Sequence, residues 1–91
     1  MKIYKYELPT SGSIKIGIPY KSQILSVKNQ HNNTLVLYAL VDPEEEEIQQ
    51  RTFIVATTGG IEVDSGTHQF IDTVMLANGA YVVHVFEKLP V

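Results

Sequence analysis

The single arginine of the chain, Arg51, opens the stretch RTFIVATTGG, which closes on Thr57, Thr58, Gly59 and Gly60. These residue types suit an anion. A guanidinium offers a planar fork of donors to phosphate or carboxylate, threonine hydroxyls bond single oxygens, and glycine lets backbone N–H groups approach a ligand. The stretch is not a P-loop, because the Gly-Lys-Ser/Thr ending is missing and no helical pattern follows. The same four residues also compose an ordinary β-turn. Tyr38 joins the candidates, since a tyrosine on a central strand needs a partner for its hydroxyl and its ring can stack on a base.

The three histidines are His31, His68 and His84. A zinc site usually contains a close pair such as H-x-H or H-x₃-H, and no such pair occurs, so no metal or other cofactor is expected. His31 reads as a turn residue, and His84 as a hydrogen-bonded core group or a member of a ligand pocket. For hydrolysis, His84 with Asp72 is the one pair to test, but no G-x-S-x-G elbow accompanies it. The reading is therefore a binder and not an enzyme. Asp42 and the Glu44–Glu47 run lack the alternating ligands and central glycine of a calcium loop, and read as a solvated loop or a single helical turn.

Ninety-one residues allow one domain, taken as residues 1–91, with one core. Six lysines and one arginine against a net charge of −3 argue against polymeric nucleic acid, which needs many phosphate contacts. One small anion is still within reach. The chain has no cysteine, so disulfides and thiolate metal sites are excluded. The opening MKIYKYELP alternates polar and apolar residues where a signal peptide would be continuously apolar, and no run reaches the roughly 18 apolar residues of a membrane helix. A cytoplasmic protein without membrane contact is expected.

The elements that must position these groups are strands. Thr34–Asp42 (TLVLYALVD) is apolar on both faces and belongs in the middle of a sheet. Lys2–Leu8, a short strand of alternating isoleucines ending at Pro19, and Gln23–Asn29 precede it, with Gly17 marking a bulge. Arg51–Thr57, Thr67–Leu76 and Ala80–Glu87 follow, the last two joined by Ala77-Asn78-Gly79, whose Asn-Gly is a strong hairpin signal. About seven strands predict an all-β, single-domain antiparallel meander forming a small barrel or sandwich. A two-sided apolar strand in so short a chain also favours a homo-oligomer.

IYKYELP, ILSV at Ile24–Val27, LYALVDPE at Leu37–Glu44, RTFIVATTG at Arg51–Gly59 and VVHVFE at Val82–Glu87, in that order, resemble a widespread family of small proteins encoded by phages and prophages. Relatives would carry Trp or Tyr at Tyr38 and a Gly-Thr-Gly-like turn at Thr57–Gly59. This chain has Thr57-Thr58-Gly59 there. A further similarity is to the phage anti-CBASS sponge proteins, which sequester cyclic dinucleotide alarm signals. That similarity implies a non-catalytic, oligomeric binder with its ligand at or near a subunit interface. The residue types nominate Tyr38, Arg51, Thr57, Thr58, Gly59, Gly60 and His84 to hold such a ligand. The alternatives are an interaction or structural accessory module, which would tolerate Arg51→Ala, and a phosphodiesterase-like enzyme, which would lose turnover in His84→Ala.

Overall fold

A computed structural model describes residues 1–90 of the chain. It contains seven strands: β1 (Lys2–Leu8), β2 (Gly12–Pro19), β3 (Gln23–Asn29), β4 (Leu35–Val41), β5 (Ile48–Thr57), β6 (His68–Leu76) and β7 (Tyr81–Lys88). They form two antiparallel sheets in the orders β1-β4-β3 and β2-β5-β7-β6. Packed face to face, the sheets make a sandwich whose Cα extents are 40 × 31 × 15 Å.

The period-2 alternation of the sequence decides which side chains enter the space between the sheets. Leu35, Leu37, Ala39 and Val41 of β4 meet Phe53 and Val55 of β5 and Val83 and Val85 of β7, all at most 1% exposed. The centrality of β4 is as expected, but its second face is not closed throughout. Val36 is buried there, whereas Tyr38 and Leu40 are only half-buried, because no further layer covers that sheet. Burial of Tyr6, which packs on the core from β1, pushes its phenol above the ordinary 10.0, and nearby Tyr4 adds to the shift.

The strands are antiparallel and all-β, as the alternation predicts, and the sandwich is the form they take. The meander is interrupted. Only β3–β4 and β6–β7 join sequence neighbours that also pair, while β5 lies beside β7 and the chain crosses between sheets after β1, β2 and β4. Crossing lets each short sheet bury one face on the other, which a single curled sheet of this length could not do as fully. Gly17 marks no bulge either. The β2–β5 register runs unbroken through Gly17 and Gln50, and a Cβ there would lie 2.9 Å from Ile48 Cγ2, so glycine serves close packing. The bulges fall instead at Leu25 of β3 and Ile71 of β6, between Ile24 and Ser26 and between Phe70 and Asp72. The acidic run is an exposed or half-exposed loop, turned by the Asp42 carboxylate accepting from the Glu44 N–H at 3.0 Å.

Side chains close the seam between the edge strands β3 and β6. Asp72 Oδ2 accepts from the Val27 N–H at 3.1 Å and sits 3.4 Å from Lys28 Nζ, while Asn29 Nδ2 donates to the Met75 carbonyl at 3.3 Å. Beyond the strand ends, the Ala77 N–H donates to Asn33 Oδ1 at 2.8 Å. An edge N–H partnered by a carboxylate is no longer free to template another strand. Asp72→Ala leaves the Val27 N–H without its acceptor and is expected to destabilise the fold by about 1–3 kcal/mol. Asp72→Asn keeps an acceptor and should lose less. Urea unfolding midpoints of the two variants check the order, and equal losses would contradict the hydrogen-bond account.

Candidate functional site

Along β5 the same parity that sends Phe53 and Val55 inward also sends Arg51 inward, at the end of the sandwich. Its Nε and Nη2 donate to Glu87 Oε2 and Oε1 at 2.6 and 2.8 Å, and Nη1 donates to the Ser22 carbonyl at 2.6 Å. Both side chains are about 15% exposed (15% and 14%). Arg51 is thus a tie between β5, β7 and the β2–β3 connection. Three of its five N–H donors are engaged, which leaves a neutralised pair where a free cation was expected. Around this pair lies a cleft of about 380 Å³ into which the two bulges, Leu25 and Ile71, both open.

Six residues further along β5, roughly 20 Å at 3.3 Å per residue, is the Thr57–Gly60 turn. Gly59 has φ +73, which favours glycine, and a Cβ on Gly60 would collide with Thr57 Oγ1. Both glycines are accounted for by the turn itself. The expected cradle of amides is also partly spent: Thr58 N–H donates to the Val82 carbonyl at 3.3 Å and Gly60 N–H to that of Thr57 at 3.0 Å.

What the turn does bring together is a cluster of side chains. His84, on the outward face of β7 opposite Ala56 and Thr73, has Nε2 2.7 Å from Thr58 Oγ1 and Nδ1 2.9 Å from Thr73 Oγ1. In the neutral ring one nitrogen donates and the other accepts. One hydroxyl therefore gives its hydrogen to the ring, and the other accepts the ring proton and keeps its own hydrogen free. Protonated, the ring donates to both, and both hydroxyl hydrogens become available to an anion. Beside the cluster is a hollow of about 350 Å³ lined by Thr57, Thr58, Ala80, Tyr81 and Val82. The Tyr81 hydroxyl donates to the Thr10 carbonyl at 3.1 Å, which holds the ring at the rim.

The expected set therefore does not converge within one protomer. Thr57, Thr58, Gly59, Gly60 and His84 share one end of the four-stranded sheet, Arg51 lies toward the other end, and Tyr38 is on the outward face of the three-stranded sheet, between Lys5 and Ser26. No buried side-chain nitrogen or oxygen among the described residues lacks a partner, so Tyr38 carries no hydroxyl that a ligand must satisfy. The His84–Asp72 pair is not formed. The Asp72 carboxylate turns to β3 and the neighbouring residue, Thr73, faces His84, because adjacent strand residues point to opposite faces. No three His, Asp or Glu side chains converge among the described residues. Thr73 and Tyr81 are outside the expected set, Tyr81 being one of five tyrosines of which the sequence singles out Tyr38. Antiparallel alternation would have found them, since an Asn-Gly hairpin between β6 and β7 places Thr73 near His84 and Tyr81 at the sheet end.

Fold and site together define a small antiparallel β-sandwich with a hydroxyl–imidazole cluster on one open sheet face. The chain belongs to the DUF7352 family, described as a domain of unknown function, whose family model matches residues 1–90. No curated protein and no solved structure matches it.

Proposed function

We propose that this protein is a non-catalytic binder that sequesters a small anionic nucleotide, a cyclic dinucleotide in the first instance, in the manner of a phage counter-defence sponge acting in the host cytoplasm. The observation that carries the reading is the Thr58–His84–Thr73 cluster beside the Tyr81-rimmed hollow. Hydroxyl and imidazole donors can hold a phosphate in an otherwise acidic protein, and a tyrosine ring at the rim offers a base a stacking surface. The resemblance to sponge proteins points the same way. The ligand residues in this reading are Thr57, Thr58, Thr73, Tyr81 and His84, with Arg51 supporting the fold and Tyr38 removed from the hollow.

The test is thermal unfolding against cyclic di- and trinucleotides and mononucleotides, with the recovered ligand checked by chromatography. Ligand at 100 times its dissociation constant should stabilise the protein by about 2.7 kcal/mol, a shift of several degrees for a domain of this size. Thr58→Val and His84→Ala should abolish the shift. A converted ligand would point to an enzyme, and no shift with any nucleotide would sink the proposal in favour of an interaction module.

A further inference from the structure

The outward face of the four-stranded sheet carries an aromatic row between a row of cations and a row of hydroxyl and imidazole groups. Alternate residues of a strand stand roughly 6.6 Å apart, so each row is one such step from the next. The middle row is Ile54, Phe86 and Phe70, side by side in register on β5, β7 and β6. On one side of it lie Lys15 beside Thr52 and Lys88 beside His68, and on the other His84 beside Thr73. In an antiparallel sheet with one solvated face that face is normally polar, yet Phe70 is 54% exposed. It meets Phe86 edge-on, with centroids 5.6 Å apart and planes at 71°, so the two rings do not cover one another face to face.

The charges of this face are of one sign. Its four strands contain two carboxylates, Asp72 and Glu87, and both turn inward, to the Val27 N–H and to Arg51. Lys15 and Lys88 line one hollow of about 230 Å³, and the carboxylate beside it, Glu87, is already neutralised by Arg51. The net charge of −3 arises elsewhere, from Glu7 on β1, Asp42 and the Glu44–Glu47 run, and Glu62 and Asp64 before β6. The outward face of the other sheet, by contrast, sets Glu7 among Lys5 and Lys28.

We propose that this face binds a short single-stranded segment of nucleic acid, its bases on the Phe70–Phe86 row and its phosphates on Lys15 and Lys88. Every base has a π-face, so an exposed aromatic row accepts bases without regard to sequence, and cations one step away meet the backbone. A duplex does not fit, because its bases are already stacked on one another. Two lysines set the number of phosphate contacts at about two, so the logarithm of the affinity should fall with that of salt at a slope of about −1.4. So few contacts are within reach of a chain whose overall charge speaks against many. The inference goes beyond the cyclic dinucleotide reading and does not depend on it. That reading rests on Thr58, Tyr81 and the hollow at the sheet end, whereas Phe70, Phe86, Lys15 and Lys88 carry this one. His84 and Thr73 border both, so neither enters the test.

The test is fluorescence anisotropy of a labelled oligothymidylate of about six residues, titrated with the full chain to about 0.1 mM, the weak end of non-specific affinities. The expected result is saturable binding that Phe70→Ala weakens roughly tenfold. Lys88→Gln should weaken it severalfold and make the salt slope shallower by about 0.7. Lys5→Gln, the same loss of charge on the other sheet, should leave binding unchanged. Circular dichroism establishes that each variant is folded, and Lys88→Gln keeps the test open should Phe70→Ala misfold. Absence of saturable binding overturns the proposal, even if a cyclic dinucleotide stabilises the protein. So does binding that Phe70→Ala leaves intact, an equal loss in Lys5→Gln and Lys88→Gln, or a duplex of the same length bound as tightly. Oligothymidylate binding lost in Phe70→Ala, with no thermal shift from any cyclic dinucleotide, would uphold this inference and sink the sponge reading alone.

Discussion

Arg51→Ala is expected to lower the stability of the fold by about 3 kcal/mol, the lower end of what removing one partner of a buried ion pair costs. Glu87 would keep its charge in a place where only 14% of its side chain reaches water, and the Ser22 carbonyl would lose its donor. In a domain of this length that corresponds to a fall in Tm of about 12 °C or more. Replacing both partners by an apolar pair, Arg51→Met with Glu87→Leu, should recover much of the loss, since the larger penalty is the orphaned charge and not the missing attraction. Arg51→Lys should lie between, because an ammonium cannot reproduce the two parallel bonds to Glu87. Guanidinium unfolding of the four proteins decides the matter, and a loss below about 0.5 kcal/mol in Arg51→Ala would show the tie to be dispensable.

This expectation changes how a functional experiment on Arg51 should be read. A neutral Arg51→Ala would have marked an accessory module and a loss of binding would have marked a ligand residue. With the guanidinium holding Glu87 and Ser22, the substitution unsettles the sandwich under either function. Ligand affinity is better probed at Thr58, Thr73 and His84, whose removal leaves the core intact.

Phe53→Ala is the second large effect, about 3–5 kcal/mol. Phe53 is fully buried, pairs in register with Ile14 and Glu87, and is the largest of the side chains closed off between the sheets. Domains of this kind are typically stable by about 5–15 kcal/mol, so the variant should be marginal at room temperature. Phe70→Ala offers the internal comparison. It removes the same side chain from the outward face, where Phe70 is 54% exposed, and should cost about 1 kcal/mol or less. Denaturant melts of the two variants measure the difference, and a larger loss at Phe70 would mean that the inner and outer faces of the sheet have been assigned the wrong way round.

Much of this structure is written in local alternation. The strands at Lys2–Leu8 and Gln23–Asn29 coincide with the observed ones, and β4 differs from the expected stretch by one residue at each end, because side-chain parity along a strand is a property of a few neighbouring residues. Parity alone also sets Arg51 on the side of Phe53 and His84 on the side of Phe86, whichever strands pair. Strand order was not legible, since whether β5 lies beside β6 or β7 depends on which apolar faces can close on one another across the whole chain. The candidate site failed at the same level. Arg51 finds Glu87 at a separation of 36 residues and Ser22 at 29, and His84 finds Thr58 at 26. A donor's availability depends on such distant partners, so residue types alone could nominate an arginine and a histidine for chemistry, and only the packed sandwich decided that the arginine is spent on structure while the histidine stays on an open face.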